Sequence, residues 1–269
     1  MPNTIASPIP TPPKIIFFDI DDTLYIKAEN RILDSTIFAL KQLHDKGIMV
    51  AIATGRGICV FPKAVHRLID EADIKIFVTI NGQYNEYQGK MLAHYPLSAE
   101  QIQHTTDYLV RQRIAYGYMT RHEIIAFNET PCMTHALRSL HIPYRVAEEF
   151  DGTDDVYQIL AFYENNQTAS LELMDNLKTV RWHECGVDIL DVQGSKARGI
   201  GTVMGALGLD MSEAWAFGDG LNDIEMLSAV GYGIAMGNAH PSLKTVADFI
   251  CPSHTDDGIF RGLRELGVI

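Results

Sequence analysis

Short apolar runs alternate with amphipathic stretches towards both ends of the chain, whereas the middle of the chain breaks this pattern. Such apolar runs predict strands that are buried on both faces, as in a parallel sheet, and an apolar stripe of helical period predicts each intervening helix. The alternation predicts an α/β fold with a Rossmann-like, doubly wound parallel sheet. The predicted strands are 15–20, 48–53, 75–80, 187–192, 213–217 and 232–235, and the predicted helices are 34–46, 57–71, 196–207, 222–229 and 257–266.

The middle segment predicts a different architecture. Turn residues from Asn81 and Gly82 onward favour a hairpin over another crossover helix. Strand patterns follow at 84–95, 115–119, 123–127, 156–163 and 179–183, with helical patterns at 98–112, 130–140 and 167–176. This mixture predicts an inserted α+β cap domain. We therefore expect a core domain over residues 1–82 and 186–269 and a cap domain over residues 83–185.

Composition is typical of a folded enzyme. The chain has 269 residues, of which 46% are hydrophobic, and this is enough to bury a sizeable core. Its 34 acidic residues outnumber its 22 basic ones, and the formal net charge of −12 disfavours a nucleic-acid partner, which would require a basic surface. A small anionic substrate would need local positive charge.

The sequence gives no indication of a membrane or a secretory route. No segment approaches the length of a membrane span, and residues 1–13 lack the apolar centre of a secretory signal. The four cysteines are far apart and are expected to be reduced thiols. We therefore expect a cytoplasmic protein.

The sharpest chemical signal is a group of aspartates at the end of the first predicted strand. Asp19, Asp21 and Asp22 follow the apolar run Ile15–Phe18. So much negative charge on so few residues requires compensation, and Mg²⁺ prefers carboxylate oxygens together with substrate phosphate. A polar turn after a buried strand is the alternative, and these residues alone leave it open because aspartate favours turns.

The second predicted strand ends in groups that suit a phosphate. Thr54 offers a hydroxyl donor, the backbone at Gly55 permits close approach, and Arg56 brings a positive charge. A helix predicted to begin near Gly57 would point its free N–H groups at an anion. This short pattern carries little weight on its own.

A third cluster of polar residues lies far downstream. The apolar run Trp215–Gly218 leads into two acids, Asp219 and Asp223. Ligands of an open parallel sheet lie outside the carboxyl ends of its strands. We therefore expect Asp19, Thr54 and Asp219 to meet at one edge of the sheet.

Taken together, these segments resemble the four sequence motifs of the haloacid dehalogenase (HAD) superfamily, in order and at suitable distances. Two further segments are similar to the Cof-type, class II branch of that superfamily, whose members carry a cap. The chain departs from this branch at one position, since many of its members have glycine where this chain has Asp22. The motif segments are Asp19–Thr23, Thr54–Arg56, Lys196 and Gly218–Asp223, and the further segments are Gly233–Ala239 and Thr255–Ile259.

The resemblance implies a two-step phosphoryl transfer. Asp19 is the expected nucleophile, whose carboxylate would attack phosphorus and form an aspartyl-phosphate. Asp21 is the expected acid and base. Lys196 would pair with Asp19 and the phosphate, and Thr54 and Asn222 would donate hydrogen bonds to the phosphoryl oxygens.

The resemblance also implies a Mg²⁺ ion. Asp19, the backbone carbonyl of Asp21 and Asp219 are its expected ligands. Asp223 would bind it either directly or through water, and the second arrangement is favoured.

The remaining substrate contacts are less well defined. Gly55 and Arg56 complete the expected phosphate-binding segment with Thr54 and Asn222, and Arg56 either guides the substrate or pairs with an acid. Candidate substrate contacts in the cap are Tyr84, His122, Arg181, Trp182 and His183.

The family resemblance therefore predicts a Mg²⁺-dependent phosphomonoester hydrolase that acts on a small phosphorylated metabolite. Sugar phosphates are the first expectation, and phosphorylated cofactors such as pyridoxal phosphate or flavin mononucleotide are others. Two alternatives stay open: a phosphomutase that transfers the phosphoryl group to another sugar, and a metabolite-binding protein without turnover.

Overall fold

The computed structural model describes residues 12–164 and 174–269, and two β-sheets organise this part of the chain. The strands are β1 (Ile15–Phe18), β2 (Met49–Ala53), β3 (Ile76–Thr79), β4 (Tyr84–Tyr87), β5 (Lys90–His94), β6 (Ala115–Met119), β7 (Ile124–Phe127), β8 (Arg145–Val146), β9 (Gln158–Phe162), β10 (Leu177–His183), β11 (Gly186–Asp191), β12 (Ala214–Gly218), β13 (Tyr232–Ala235) and β14 (Phe249–Ile250). The α-helices are α1 (Asp34–Asp45), α2 (Lys63–Glu71), α3 (Ala99–Arg111), α4 (Pro131–Ser139), α5 (Lys196–Leu207), α6 (Ile224–Ala229), α7 (Pro241–Lys244) and α8 (Gly258–Glu265). Single 3₁₀ turns lie at Lys27–Glu29, Ile58–Val60, Met211–Glu213 and Leu221–Asp223.

The core sheet has eight strands in the order β14-β13-β12-β1-β2-β3-β4-β5. The six strands from β14 to β3 in this order are parallel, which confirms the predicted α/β, doubly wound architecture. Chain order runs outward in opposite directions from β1 and β12, so the switch point of the sheet lies between these two neighbours. Asp19 follows β1 and Asp219 follows β12, which places both acids at the switch point.

The cap sheet has six strands in the order β10-β11-β9-β6-β7-β8, and all of its pairs are antiparallel except β7 with β8. Side chains alternate between its two faces. Tyr116 and Tyr118 pack with α3 in one apolar cluster, whereas Ala115 and Met119 pack with α4 in another. The insert is thus an α+β layer, as predicted, with a helix on each face of its sheet.

Three strands join the sheet opposite to the one predicted. β4 and β5 pair antiparallel with β3 and with each other, so the predicted hairpin at 84–95 extends the core sheet. β11 pairs with β9 and β10, so the strand predicted at 187–192 belongs to the cap sheet. Local pattern predicts a strand but not its neighbours. We therefore propose that the cap runs from the end of β5 to the end of β11, in place of residues 83–185.

Some helices also differ from the prediction. α2 begins at Lys63 instead of near Gly57, because Pro62 precedes it and disfavours helical backbone at the residue before proline. At Gly57 the predicted α-helical N-terminus is replaced by the single 3₁₀ turn Ile58–Val60. The predicted helix 167–176 lies outside the described residues except at 174–176, which are not helical.

Two further observations bear on the predicted surroundings of the protein. Within the two described stretches of the chain, no helix combines the length and the apolar character needed to cross a membrane. All four cysteines carry free thiols.

Gly82 lies where the core sheet meets α5. It follows β3 and has a φ of +77°, in the left-handed region that favours glycine. A Cβ atom at this position would lie 2.1 Å from the backbone oxygen of Ser195, the residue that precedes α5. The missing side chain therefore allows the start of α5 to approach the end of β3.

We predict that Gly82→Ala lowers the free energy of unfolding by roughly 3 kcal/mol, because it adds both backbone strain and a backbone clash. Gly89→Ala is the matched control, since Gly89 has a φ of +72° but nothing within 4 Å of the added Cβ. The control should cost only about 1 kcal/mol. Urea unfolding measures both values, and equal losses would contradict the role given to the close approach.

Candidate active site

The carboxyl ends of three parallel strands meet at one cavity. Asp19 after β1, Thr54 after β2 and Asp219 after β12 all line it, as the sheet topology predicts. The cavity has a volume of about 270 Å³ and is also lined by residues of the cap. The other predicted site residues that line it are Asp21, Gly55, Arg56 and Asn222.

Lys196 is a fully buried cation of the site. It is the first residue of α5, and the side chain of Ser195 caps this helix by accepting a hydrogen bond from the backbone N–H of Arg198. The Lys196 Nζ donates to Asp19 Oδ1 at 2.6 Å and to Asp223 Oδ1 at 2.5 Å. Burial lowers the pKa of Lys196, but the two carboxylates outweigh burial and raise it. Lys196 therefore stays charged against Asp19.

Asp223 holds the loop that carries Asp219. Its Oδ2 accepts hydrogen bonds from the backbone N–H groups of Asp219 and Gly220, each at 2.9 Å, while its Oδ1 accepts from Lys196. Both oxygens of this fully buried carboxylate thus have protein donors. Asp219 is freer, with a single hydrogen bond from Thr23 Oγ1 at 3.2 Å among the contacts described for its side chain.

Negative charge accumulates around Asp19 and Asp219. Burial raises the pKa of Asp19, and the nearby Asp223 and Asp21 add to the rise, against the opposing effect of Lys196. Burial likewise raises the pKa of Asp219, together with Asp19 and Asp223. Oxygens of Asp19, Asp219 and Asp223 lie within 4.8 Å of one another. This set of hard oxygen ligands suits a divalent cation such as Mg²⁺.

Asp21 pairs with Arg56. The Arg56 Nε and Nη2 donate to the two carboxylate oxygens at 2.7 and 2.8 Å, and Nη1 donates to the Val60 backbone oxygen at 3.2 Å. Burial raises the pKa of Asp21, but Arg56 outweighs burial and holds it below its usual value. Of the two predicted roles of Arg56, this geometry is that of pairing with an acid.

Asn81 connects the remaining phosphate-site candidates and was missed by the sequence analysis. Its Oδ1 accepts from Asn222 Nδ2 at 3.3 Å and would lie 3.1 Å from a Cβ at Gly55. The backbone N–H of Asn81 donates to the Thr54 oxygen at 3.0 Å. A polar residue directly after the predicted strand 75–80 was the available signal, the same signal that identified Asp19 and Asp219.

The cap contributes a second set of lining residues. Of the five cap candidates, Arg181 and Trp182 line the cavity, whereas Tyr84, His122 and His183 do not. Two polar cavity residues were missed, Gln158 on β9 and Asp188 on β11. Both lie within apolar strand patterns, which conceal a single polar residue that points to a cavity.

Asp188 is a buried carboxyl in the cap wall. It is 6% exposed. Burial raises its pKa from 3.8 to about 7, and the neighbouring polar side chains of Trp182, Gln158 and Asn81 oppose this only in part. No cation is among the groups that act on it, in contrast with Asp19.

We predict that Lys196→Met lowers the free energy of unfolding by about 3–5 kcal/mol, because Asp19 and Asp223 would remain buried without a cation. Lys178→Met is the control, since Lys178 forms only a partly exposed ion pair with Glu225 at 3.5 Å, and it should cost less than about 1 kcal/mol. The loss of stability in Lys196→Met should become smaller at acidic pH, where protonation removes the unpaired charges. Denaturant unfolding at two pH values tests this, and similar small losses in both variants would contradict it.

We predict that Asp188→Asn changes how stability depends on pH. Between pH 3.8 and about pH 7, Asp188 is protonated in the folded wild type and ionised in the unfolded chain. The stability that this proton gives is complete below the pKa of the unfolded chain. It is lost, at about 1.4 kcal/mol per pH unit, as the pH rises to the pKa of the folded protein.

The variant should therefore gain stability relative to wild type across this window, as measured by unfolding at several pH values. Asp191→Asn, at the half-buried end of the same strand, is the control and should show no such gain. Parallel curves for wild type and Asp188→Asn would exclude the raised pKa.

Comparison with known proteins agrees with this site. The family model for haloacid dehalogenase-like hydrolases matches residues 16–263. Over 258 residues the chain is 33% identical to YkrA of Bacillus subtilis (strain 168), which is named as a phosphatase by inference. The match covers 95% of this chain and 98% of that protein.

Solved structures give the same result. A hypothetical protein of Geobacillus kaustophilus HTA426 is 36% identical with a TM-score of 0.85, over 96% of this chain and 100% of that one. BT4131, a HAD subclass IIB sugar phosphatase, is 26% identical with a TM-score of 0.87, over 95% of this chain and 99% of that one. The sequence motifs, the fold and these similarities together show that the chain belongs to the haloacid dehalogenase-like hydrolase family and is a phosphatase of its capped, Cof-type branch.

Proposed function

We propose that this protein is a Mg²⁺-dependent phosphomonoester hydrolase that acts on small phosphorylated metabolites through an aspartyl-phosphate intermediate. The observation that carries the proposal is the pairing of Asp19 with the buried Lys196, at 2.6 Å, on the wall of a cavity that Asp21 and Asp219 also line. A carboxylate fixed by a cation at the end of a buried strand is a suitable nucleophile for phosphorus.

The residues present fit a Mg²⁺ ion. Asp19, Asp219 and the backbone carbonyl of Asp21 would hold it, and both Asp19 and Asp219 have raised pKa values because burial and neighbouring acids destabilise their charges. Asp223 would act through water, because protein donors already occupy both of its oxygens. When bound, Mg²⁺ supplies positive charge that offsets the repulsion between the carboxylates and the phosphate.

Asp19 and Lys196 carry out the first step. A carboxylate oxygen of Asp19 attacks phosphorus in line, so that an oxygen–phosphorus bond forms while the bond to the leaving oxygen breaks. Lys196 keeps the attacking carboxylate in place, and Thr54 and Asn222 donate hydrogen bonds to the phosphoryl oxygens. Asp21 gives its proton to the leaving alkoxide.

Asp21 reverses its role in the second step. It takes a proton from the water that attacks the aspartyl-phosphate, and inorganic phosphate and free Asp19 result. The Asp21–Arg56 pair favours the ionised carboxylate, which is the form needed for this second step. We infer that the pair loosens when substrate binds, so that Asp21 can load the proton that the first step requires.

Names of relatives indicate what kinds of metabolite are candidates. BT4131 is named as a sugar phosphatase. YwtE of Bacillus subtilis (strain 168), 25% identical over 283 residues, is named as a phosphatase of 5-amino-6-(5-phospho-D-ribitylamino)uracil, in which a phosphorylated chain is attached to a uracil ring. Sugar phosphates, as expected from the sequence, and phosphates that carry a heteroaromatic ring are therefore the two candidate classes. The cytoplasmic location and the absence of a nucleic-acid partner stay predictions.

We predict that the purified protein releases phosphate from a panel of sugar phosphates, pyridoxine 5′-phosphate and flavin mononucleotide, and that removal of Mg²⁺ with a chelator stops the release. Asp19→Asn should lose at least ~10³-fold in kcat, because the nucleophile is gone. Asp45→Asn, an exposed aspartate on α1, is the control and should keep full activity. Release that survives chelation or the Asp19 change would overturn the mechanism, and transfer of phosphate to a second sugar would favour the phosphomutase.

A further inference from the structure

One face of the cap sheet forms the cap-side wall of the cavity. Asp188 on β11 lies directly between Val180 on β10 and Leu160 on β9 in the strand register, so these three side chains point to the same face. All three line the cavity. Met119 belongs to the same wall through its pairing with Gln158. The register of the sheet thus decides what the substrate meets beyond its phosphate.

This wall is mainly apolar and partly flat. Its apolar residues include Met119, Ile124, Leu140, Ile142, Leu160 and Val180. The indole of Trp182 adds a planar surface, and it packs so closely on the strand backbone that a Cβ at Gly186 would lie 2.6 Å from the ring. Such a wall buries the faces of a ring well, but it offers few hydrogen-bond partners for several buried hydroxyl groups.

Among the polar groups in the wall, Trp182 Nε1 is a buried donor without a hydrogen-bond partner in the described part of the chain. The Arg181 Nη1 already donates to the backbone oxygens of Tyr163, His183 and Glu184, at 3.1–3.3 Å. Gln158 Oε1 accepts a long hydrogen bond of 3.5 Å from Asn81. Asp188 has no cation as partner among the described residues, and it is the one carboxyl group in the wall.

The chemistry of this wall distinguishes the two candidate classes. A hexose brings several hydroxyl groups, each of which needs a hydrogen-bond partner when it is buried. A nitrogen heteroaromatic ring brings two apolar faces and one or two polar atoms at its edge. Asp188 can bind such an edge in either protonation state, since its raised pKa of about 7 lets it donate as well as accept near neutral pH.

We infer that the cavity selects phosphate esters whose leaving group carries a planar nitrogen heteroaromatic ring, and that Asp188 is the specificity-determining residue that binds the polar edge of this ring. The inference rests on the proposed function only in assuming that the phosphate lies at Asp19. It reverses the preference for sugar phosphates that the sequence suggested.

Pyridoxine 5′-phosphate and glucose 6-phosphate are matched probes, because each carries one phosphate on a primary alcohol and they differ in the ring. The pyridoxine ester is used in place of the pyridoxal ester because it has no aldehyde and so cannot form an imine with Lys27, which lines the cavity. Calorimetry with Mg²⁺ and Asp19→Asn protein measures binding without turnover. We expect the pyridoxine ester to bind at least ~10-fold more tightly, and Asp188→Asn in the same background to reduce this ratio by ~10-fold.

Asp191→Asn in the same background is the control and should keep the wild-type ratio, because Asp191 is on the same strand but outside the cavity. Equal or tighter binding of glucose 6-phosphate would overturn the inference, as would an equal loss for both esters in Asp188→Asn. Hydrolysis by wild-type protein separates the two proposals. A binding preference without phosphate release supports the inference and defeats the hydrolase, whereas release from both esters without preference does the reverse.

Discussion

One buried cation holds the active-site half of this fold together. Lys196 has no exposed surface and bonds to Asp19 and Asp223, which are 177 and 27 residues away along the chain. Removing one partner from such a buried group of charges leaves an uncompensated charge, which costs several kcal/mol. The end of β1, the start of α5 and the turn before α6 therefore have to stay in contact. Through Asp223 the same constraint reaches Asp219, whose backbone N–H is fixed at 2.9 Å.

Close backbone packing brings the cation to this position. A Cβ at Gly199 in α5 would lie 2.4 Å from Val78 on β3, so α5 sits on the sheet with no space for a side chain there. The segment that leads into the cap and the segment that returns from it also lie beside α5. The Arg198 guanidinium lies 3.9 Å above the ring of Tyr95, which follows β5, and it also bonds to Gln83. The attachment points of the cap are thus fixed next to Lys196, while the strands that contact the leaving group lie farther out.

The sequence predicted the core of the site because the chemistry follows strand ends. Asp19, Thr54 and Asp219 each come directly after an apolar run, and parallel strands bring such ends together whatever the details of packing. Lys196 and Asn222 were predicted only through the family motifs, since a lone lysine or asparagine has no pattern of its own. The cap boundaries that we propose differ from the predicted ones because strand periodicity carries no information on pairing partners. Asp188 was missed for a related reason: register, not local pattern, turns a strand residue towards a cavity.

The charges around the cavity give the proposed metal ion a role in substrate binding as well as in chemistry. The formal net charge of the chain is −12, so an anionic substrate depends on local cations. Each basic side chain that lines the cavity already has partners: Arg56 bonds to Asp21, Lys27 to Asp22 at 2.9 Å, and Arg181 to backbone oxygens.

Lys196 is likewise shared between two carboxylates, and burial together with neighbouring acids raises the pKa values of Asp19 and Asp219. A phosphate bound in this cavity would lie beside buried carboxylates and beside cations whose charge is already neutralised. A divalent cation would add two positive charges at the point where nucleophile and phosphate meet. The side chains present cannot supply this charge, because the basic ones are already paired.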